Sequence, residues 1–505
     1  MTNNRFGTLA RFADVVLAIA ALVAILLCAA LLFLGVYVEH YGPRAIAMAA
    51  LPLACAAGLF LLRKASAEIR IGISLSLFVF ALFLYAFEAL ISSPPISAIE
   101  QRKQTAASMA QRGFDFRTPA QYIHALRKQG VNAYPALFPR KLLEATEDGS
   151  GSHSPILING QEVIPLGGVP NVTTVQCNES GAYAIYKSDE FGFRNPTGLW
   201  TKDRLDLALL GDSFLQGDCV PSGDDVASRL RMTWPKTVTL GMRNNGPLLQ
   251  LAGLREFLSL KRPKTVVWFF YEGNDLSDLN SERRSRILLR YLEEPTFSQA
   301  IAPRSQELSA SLRQYLDQLL DHEDKSVVGG PQSGSAIIID WLLLRSTRSL
   351  LGLSLSGDTP LGIQLLTQRL PLLRSLLHAP TNPSIVQPDD FVLLERILAT
   401  AKHTIDAWNG RFVLVYIPDP LRLCGRIKAW QQDCPRHPDL SALNSRYSEM
   451  RRIAARISAP LLDLAAEMEK EAHPEVYYYY YGSHHSRNGY AWMSDKLKAY
   501  LEVRQ

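Results

Sequence analysis

The chain has 505 residues, a formal net charge of +5 and 47% hydrophobic residues. That length suits more than one domain and a sizeable core. The charge is small and no basic run is dense, which excludes a nucleic-acid-binding surface as the organising feature.

In chain order, apolar residues come first. Val15 to Val38 is an uncharged run long enough to cross a bilayer. Ala45 to Leu62 is a shorter run carrying Pro52, and Ile71 to Phe87 is a third, followed by Glu88. The first run is too long for a cleaved signal peptide. The second, marginal in length, also fits a buried hairpin or re-entrant helix. The expectation is a membrane domain over residues 1–95 with three transmembrane helices. Arg5 and Arg11 precede the first run, only Arg44 follows it, and Arg63, Lys64 and Arg70 separate the second from the third. Basic residues stay on the cytoplasmic side, so the N-terminus is expected inside and everything after about Ser93 outside. In a bacterium that means an inner-membrane protein with a periplasmic C-terminal domain.

Cys28 and Cys55 lie in the apolar runs, leaving Cys177, Cys219, Cys424 and Cys434. An oxidising compartment would allow two disulfides, Cys424 with Cys434 and Cys177 with Cys219; four unrelated buried thiols are the alternative. No Cys-x-x-Cys is present, and neither a metal nor a cofactor is expected.

Residues 96–188 read as a juxtamembrane segment, polar and helical over Ile99 to Ala145, then short β-like runs over Ile156 to Tyr186. From Leu205 onward a new rhythm begins. Leu205–Leu210, Thr237–Leu240 and Thr265–Tyr271 are strand-like; Val226–Met232 and Leu248–Leu260 are helix-like. Buried strands alternating with helices predict a parallel sheet in an α/β fold. The rhythm breaks over about 280–405, where Leu288–Leu320 and Asp390–Ala407 are helical by pattern. Gly329–Ser335 reads as a link, and Ala336–Leu353 as an amphipathic helix on the core or at a membrane surface. Strands resume at Phe412–Ile417 and Ala459–Leu462, and Tyr490–Glu502 closes with a helix.

Four short motifs stand at informative places. Gly211-Asp212-Ser213 follows the first strand, and Gly273-Asn274-Asp275 follows the third. His484 lies beyond the last strand in Gly-Ser-His-His-Ser-Arg-Asn-Gly-Tyr, and Asp189-Glu-Phe-Gly-Phe-Arg-Asn195 stands just before the first. Successive strand ends share one edge of a parallel sheet, where open α/β folds place their ligands. Serine is a weak nucleophile until a base takes its proton, and acyl transfer needs donors for the developing oxyanion. Asp212 and Asp275 read as braces for these loops. Arg194 reads as a cleft residue or a structural ion pair. The run Tyr477–Tyr481 reads as a half-buried aromatic segment or a sugar-stacking wall.

The ordered set Gly-Asp-Ser-Phe, Gly-Pro-Leu-Leu-Gln, Glu-Gly-Asn-Asp-Leu and a late His before Gly-Tyr resembles the SGNH/GDSL hydrolases. The resemblance covers Asp189 to Gln505 and implies a flavodoxin-like three-layer α/β/α domain with a helical insertion. It also implies roles: Ser213 as nucleophile, its N–H as one oxyanion donor, the Asn274 side chain as another, and His484 as base, preferred over His485. Gly211, Asp212, Gly246, Gly273 and Asp275 support these loops. Two positions depart from the family pattern. Asn244 stands where a glycine usually gives the third oxyanion donor, with Gly246 and Gly241 as alternatives. Tyr481 stands where an aspartate usually orients the histidine, which implies a Ser–His dyad with a backbone carbonyl or another side chain holding the ring, or lost chemistry.

Such domains on multi-span anchors resemble proteins that add or remove O-acetyl groups on cell-surface polysaccharides. An acyl ester or carbohydrate substrate and a membrane acyl-donor partner protein are therefore expected. A non-catalytic binding or assembly subunit of an envelope polysaccharide system, and a lysophospholipase or thioesterase, are the competing readings.

Overall fold

The computed structural model describes residues 2–37, 42–62, 64–92, 115, 117–146, 151–328, 388–430 and 440–503. These fall into two compact units, one of residues up to 92 and one of the described residues from 115 onward. In the first unit the apolar runs lie in helices Thr2–Tyr37, Gly42–Leu62 and Ala67–Ser92. Ser66 starts the third, its Oγ accepting the Ile69 N–H at 3.5 Å. Arg70 pairs with Asp14, and Ser74 Oγ donates to the Ala13 carbonyl at 3.2 Å. Both contacts tie the third helix to the first. Among the described residues, Ala67–Phe87 is long and apolar enough to cross a membrane, and Pro52–Leu62 is a shorter apolar stretch.

The second unit is built on a five-stranded parallel sheet: β1 (Leu207–Leu210), β2 (Thr237–Thr239), β3 (Thr265–Tyr271), β4 (Arg411–Ile417) and β5 (Leu461–Asp463). The spatial order is β5-β4-β3-β1-β2 and every pairing is parallel. That is the flavodoxin-like order, with a crevice outside the strand ends where the order reverses, between β1 and β3. The strands are continuous apolar runs because both faces are covered. Ala208, Leu210, Val266, Trp268, Phe270, Phe412 and Leu414 face one core layer. Leu207, Leu209, Val267, Phe269, Val413 and Val415 face the other. Each such side chain contributes about 1.5–3 kcal/mol on burial, so the sheet is a rigid base for the loops at its edge.

Among the described residues, the segment before β1 is less helical than its pattern predicts. Among the described residues up to Ala145 its α-helix is Pro119–Lys128, opened by a capping box between Thr118 and Gln121. Beyond it, Ala133–Pro135, Thr173–Val175 and Ile185–Lys187 form a three-stranded sheet. The insertion also departs from its pattern. The predicted Leu288–Leu320 helix is two helices, Arg286–Glu293 and Ser305–Val328. Pro295 and Pro303 lie between them, and proline cannot donate an intrahelical hydrogen bond. Buried Glu256 secures the break by accepting the Gln299 N–H at 2.6 Å and the Ile301 N–H at 2.9 Å. Helix Pro388–Asp406 returns the chain to the sheet. The Gly329–Ser335 link, the Ala336–Leu353 helix and Cys434, the expected partner of Cys424, lie outside the described residues.

Candidate active site

The motifs meet at the carboxyl ends of β1 and β3. Asp212 caps the short helix Ser213–Gln216, its carboxylate accepting the Phe214 N–H at 2.9 Å. This places Ser213 at the first helical position, directly beyond β1. Gly217 ends that turn at φ +77, and a Cβ there would lie 2.4 Å from Asp225 Cβ. Glycine is therefore required both by conformation and by space. Buried Arg194 donates to the Gly217 carbonyl at 2.5 Å and the Val220 carbonyl at 2.9 Å, and pairs with Asp225. It is a structural clamp under the Ser213 turn rather than a cleft residue.

His484 comes from the loop before helix Arg487–Glu502. Its Nε2 is 3.0 Å from Ser213 Oγ. Its Nδ1 is 2.9 Å from Glu179 Oε1, and its backbone N–H donates to Glu179 Oε2 at 2.8 Å. One carboxylate thus holds both the ring and the backbone of the histidine. With Nδ1–H donating to Glu179, the Nε2 lone pair is left for the serine proton. His485 is fully buried, and its Nδ1 is 3.2 Å from the Tyr477 carbonyl. Burial pushes its pKa down to about 3, so it stays neutral and plays no part in the relay.

Glu179 was not among the residues that sequence reasoning singled out. It lies two residues after Cys177, and Cys177 is bonded to Cys219, just beyond the nucleophile turn. The expected pairing is thus present and brings the acid to the serine. The Glu179 loop is also held from behind: Asn178 Nδ2 donates to the Asp115 carbonyl at 2.7 Å, and the Asp115 N–H donates to the Gly181 carbonyl at 2.8 Å. Had the half-cystine pairing been followed to its neighbours, it would have pointed to this carboxylate. Tyr481 instead packs against Trp430, ring centroids 5.7 Å apart. Tyr478 is buried, and Tyr479 Oη donates to the Cys219 carbonyl at 3.3 Å. The tyrosine run is packing, and the group that holds the His484 ring, left open at Tyr481, is the Glu179 carboxylate.

Burial alone would lower the His484 pKa, but the charge and hydrogen bond of Glu179 and the charge of Asp218 outweigh it and hold it above 6.5. For Glu179 burial works upward, and the charge and hydrogen bonds of His484 overcome it, leaving the carboxyl below its usual range. Asp218 is fully buried, with one oxygen 3.6 Å from His484 Nε2 and 2.6 Å from Arg243 Nε. Its other oxygen accepts from Gln176 Nε2 at 2.9 Å.

The loop after β2 passes over the nucleophile turn; the Met242 N–H donates to the Gly211 carbonyl at 3.3 Å. Asn244 has φ 56, in the left-handed region that favours glycine and, among side-chain-bearing residues, asparagine. Asparagine therefore meets here a backbone demand that a glycine would also meet. Both alternative donors are committed elsewhere. The Gly246 N–H donates to Glu282 Oε1 at 2.6 Å, and the Gly241 N–H donates to Thr239 Oγ1 at 3.1 Å. Among the described residues the Asn244 N–H has no such acceptor.

Asn274 occupies the N-cap of helix Asp275–Glu282 without making a side-chain cap, and its buried Oδ1 has no hydrogen-bond partner among the described residues. Gly273 precedes it and packs against the Tyr271 ring. Asp275 accepts the Tyr271 N–H at 3.1 Å, bracing the end of β3 as expected. Behind these loops lies a set of buried acids. Burial raises Asp212 to about 6, Asp278 to about 7 and Glu282 to about 8. Glu282 earns its place by receiving the N–H groups of Gly246 and Leu248 at the start of helix Pro247–Gly253.

Glu179, Cys219 and His484 each offer a ligand atom within 4.8 Å of the others. Cys219 Sγ is committed to its bond with Cys177, so this trio lacks the thiolate a metal would need.

No family model and no curated protein sequence matches the chain. Among solved structures, it is similar to the crystal structure of the lipase/acylhydrolase from Enterococcus faecalis. The identity is 13%, covering 59% of this chain and 96% of that chain, with a TM-score of 0.29. A likeness at that level carries no weight for the chemistry, which stands on the geometry above.

Proposed function

We propose that this chain is a serine acyl-ester hydrolase or O-acyltransferase of the SGNH type, working through Ser213, His484 and Glu179. The observation that carries the reading is the continuous relay from Ser213 Oγ to His484 Nε2 at 3.0 Å and from His484 Nδ1 to Glu179 at 2.9 Å. In this reading Ser213 Oγ attacks the ester carbonyl carbon while His484 Nε2 takes its proton. Glu179 stabilises the resulting imidazolium. The oxyanion is met by the N–H groups of Ser213 and Asn244 and by the Asn274 side-chain amide. Collapse breaks the bond to the alcohol, which leaves with the proton from His484 and an acyl-serine remains. Water or a sugar hydroxyl then attacks that acyl carbon as His484 takes its proton; the bond to Ser213 Oγ breaks, and His484 returns the proton to Oγ.

The carboxylate on His484 and the left-handed Asn244 answer the two departures that favoured a non-catalytic subunit. The three apolar runs and the Cys177–Cys219 bond support a membrane-anchored domain in an oxidising compartment. The periplasmic face of a bacterial inner membrane is the location we propose. O-acyl groups of envelope polysaccharides are the proposed targets, and a membrane acyl donor is the proposed partner for transfer. The test is hydrolysis of p-nitrophenyl acetate by the full chain in detergent, with fluorophosphonate labelling. Wild type should label at one serine and turn over; Ser213→Ala should do neither. Unchanged hydrolysis by Ser213→Ala refutes the assignment.

A further inference from the structure

Beside the relay stands a group of cations that the acyl chemistry does not use. Arg243 lies on the loop after β2, next to Asn244. Arg140 and Lys141 lie on the 3-10 turn Pro139–Leu142. Phe138 joins them: the Arg243 guanidinium is 4.4 Å from its ring centroid and the Lys141 ammonium 4.6 Å. Two of the three have buried counter-charges. Arg140 Nε is 2.7 Å from Asp278, and Arg243 Nε is 2.6 Å from Asp218. Lys141 has no carboxylate partner among the described residues, and desolvation together with repulsion from Arg243 and Arg140 lowers its pKa.

Arg243 and Lys141 share one ring, with Arg140 next in sequence to Lys141, and the two buried carboxylates leave the Lys141 charge unmatched, so an anion joining the group is favoured. The place is also telling. One oxygen, Asp218 Oδ2, is 2.6 Å from Arg243 Nε and 3.6 Å from His484 Nε2, so the guanidinium sits near the Ser213–His484 pair. Its Nη groups make no hydrogen bond among the described residues and remain available as a planar fork for an oxyacid.

Resting on the serine-esterase reading of the site, we propose that the substrate is an anionic ester, carrying a carboxylate or phosphate close to the acylated hydroxyl, which Arg243 and Lys141 grip over the Phe138 ring. The shared chemistry is an oxyacid beside an O-acyl group. A uronate sugar and a glycerol phosphate both supply it. Lys141 reads the charge without touching the relay, whereas Arg243 also balances Asp218 and so affects the base.

The test compares kcat/KM of the full chain in detergent for matched acetyl esters: O-acetyl glucuronate against O-acetyl glucose, and acetyl glycerol 3-phosphate against acetyl glycerol. The proposal expects an anionic ester to be preferred by about ten-fold or more, as one charge-assisted contact provides. The preference should lie mainly in KM and shrink as salt is added. Whichever anionic ester wins identifies the source of the oxyacid. Lys141→Met should lower the anionic-to-neutral ratio several-fold, and Lys141→Glu should reverse it. Equal kcat/KM within both pairs, or a ratio unmoved in Lys141→Glu, overturns the anionic substrate while leaving the serine esterase in place. No turnover of any ester together with no fluorophosphonate labelling overturns both.

Discussion

Replacing Glu179 by glutamine tests the least expected part of the site. The side chain keeps its size and loses its charge at 2.9 Å from His484 Nδ1. Two unit charges at that separation attract by about 6 kcal/mol at an effective dielectric of about 20. Each factor of ten in rate is worth about 1.4 kcal/mol, so the charge sets a ceiling of about four decades on the loss. The amide still offers one hydrogen bond to the ring, and the acid-to-amide change in a Ser-His-Asp triad lowers kcat by about 10⁴. The expected outcome is a fall in kcat of about 10³ to 10⁴ in p-nitrophenyl acetate hydrolysis, with little change in thermal stability. A pH profile gives a second, independent readout. The neutral imidazole is the active base, so wild-type kcat/KM should rise with pH through a midpoint above 6.5, because His484 is held above that value. In Glu179→Gln burial is left less opposed, and the midpoint should move to lower pH. A variant with kcat within about three-fold of wild type and an unmoved acid limb would show that Glu179 does not act on His484 during turnover.

Other outcomes follow from the same geometry. Asn274→Ala should reduce kcat by about 10² to 10³ with KM nearly constant, as loss of one oxyanion donor does; a change confined to KM would assign the side chain to substrate binding instead. Asn244→Gly should fold and turn over normally because glycine accepts φ 56 freely. Asn244→Val should lose about 1–2 kcal/mol in urea unfolding and displace the N–H donor; equal stability of the two variants contradicts the backbone argument. Cys177→Ser should lower kcat without abolishing serine labelling, since the acid loop keeps its Asp115 contacts but loses its tether to Cys219. An unaltered kcat there means the remaining contacts position Glu179 unaided.

The sheet was legible because parallel strands buried on both faces must be nearly continuous apolar runs, and Thr265–Tyr271 and Arg411–Ile417 are such runs. Ser213 and Asn274 were legible from their places just after β1 and β3, and His484 from its place beyond β5. Glu179 was not, because its contact with His484 spans 305 positions and its neighbourhood consists of strands too short to show a period. Asn244 read as a defect because sequence shows the side chain and hides φ. The split between Arg286–Glu293 and Ser305–Val328 was masked by an apolar spacing that continues through both, although Pro295 and Pro303 marked it.

The order of Glu179, Ser213 and His484 along the chain has a practical meaning for where the proposed catalytic unit begins. The acid comes first, at 179, ahead of the serine at 213 and the histidine at 484. A boundary drawn at Asp189, where the family motifs start, cuts between acid and nucleophile. It yields a fragment with the sheet and both signature motifs, but with Cys219 unpaired and His484 unsupported. The smallest portable catalyst therefore includes the three-stranded sheet of residues 133–187, together with Asp115 behind the acid loop. In the proposed reading, the segment that looks like a spacer ahead of the sheet is a working part of the site, and any exchange of the N-terminal residues by recombination would have to leave it in place.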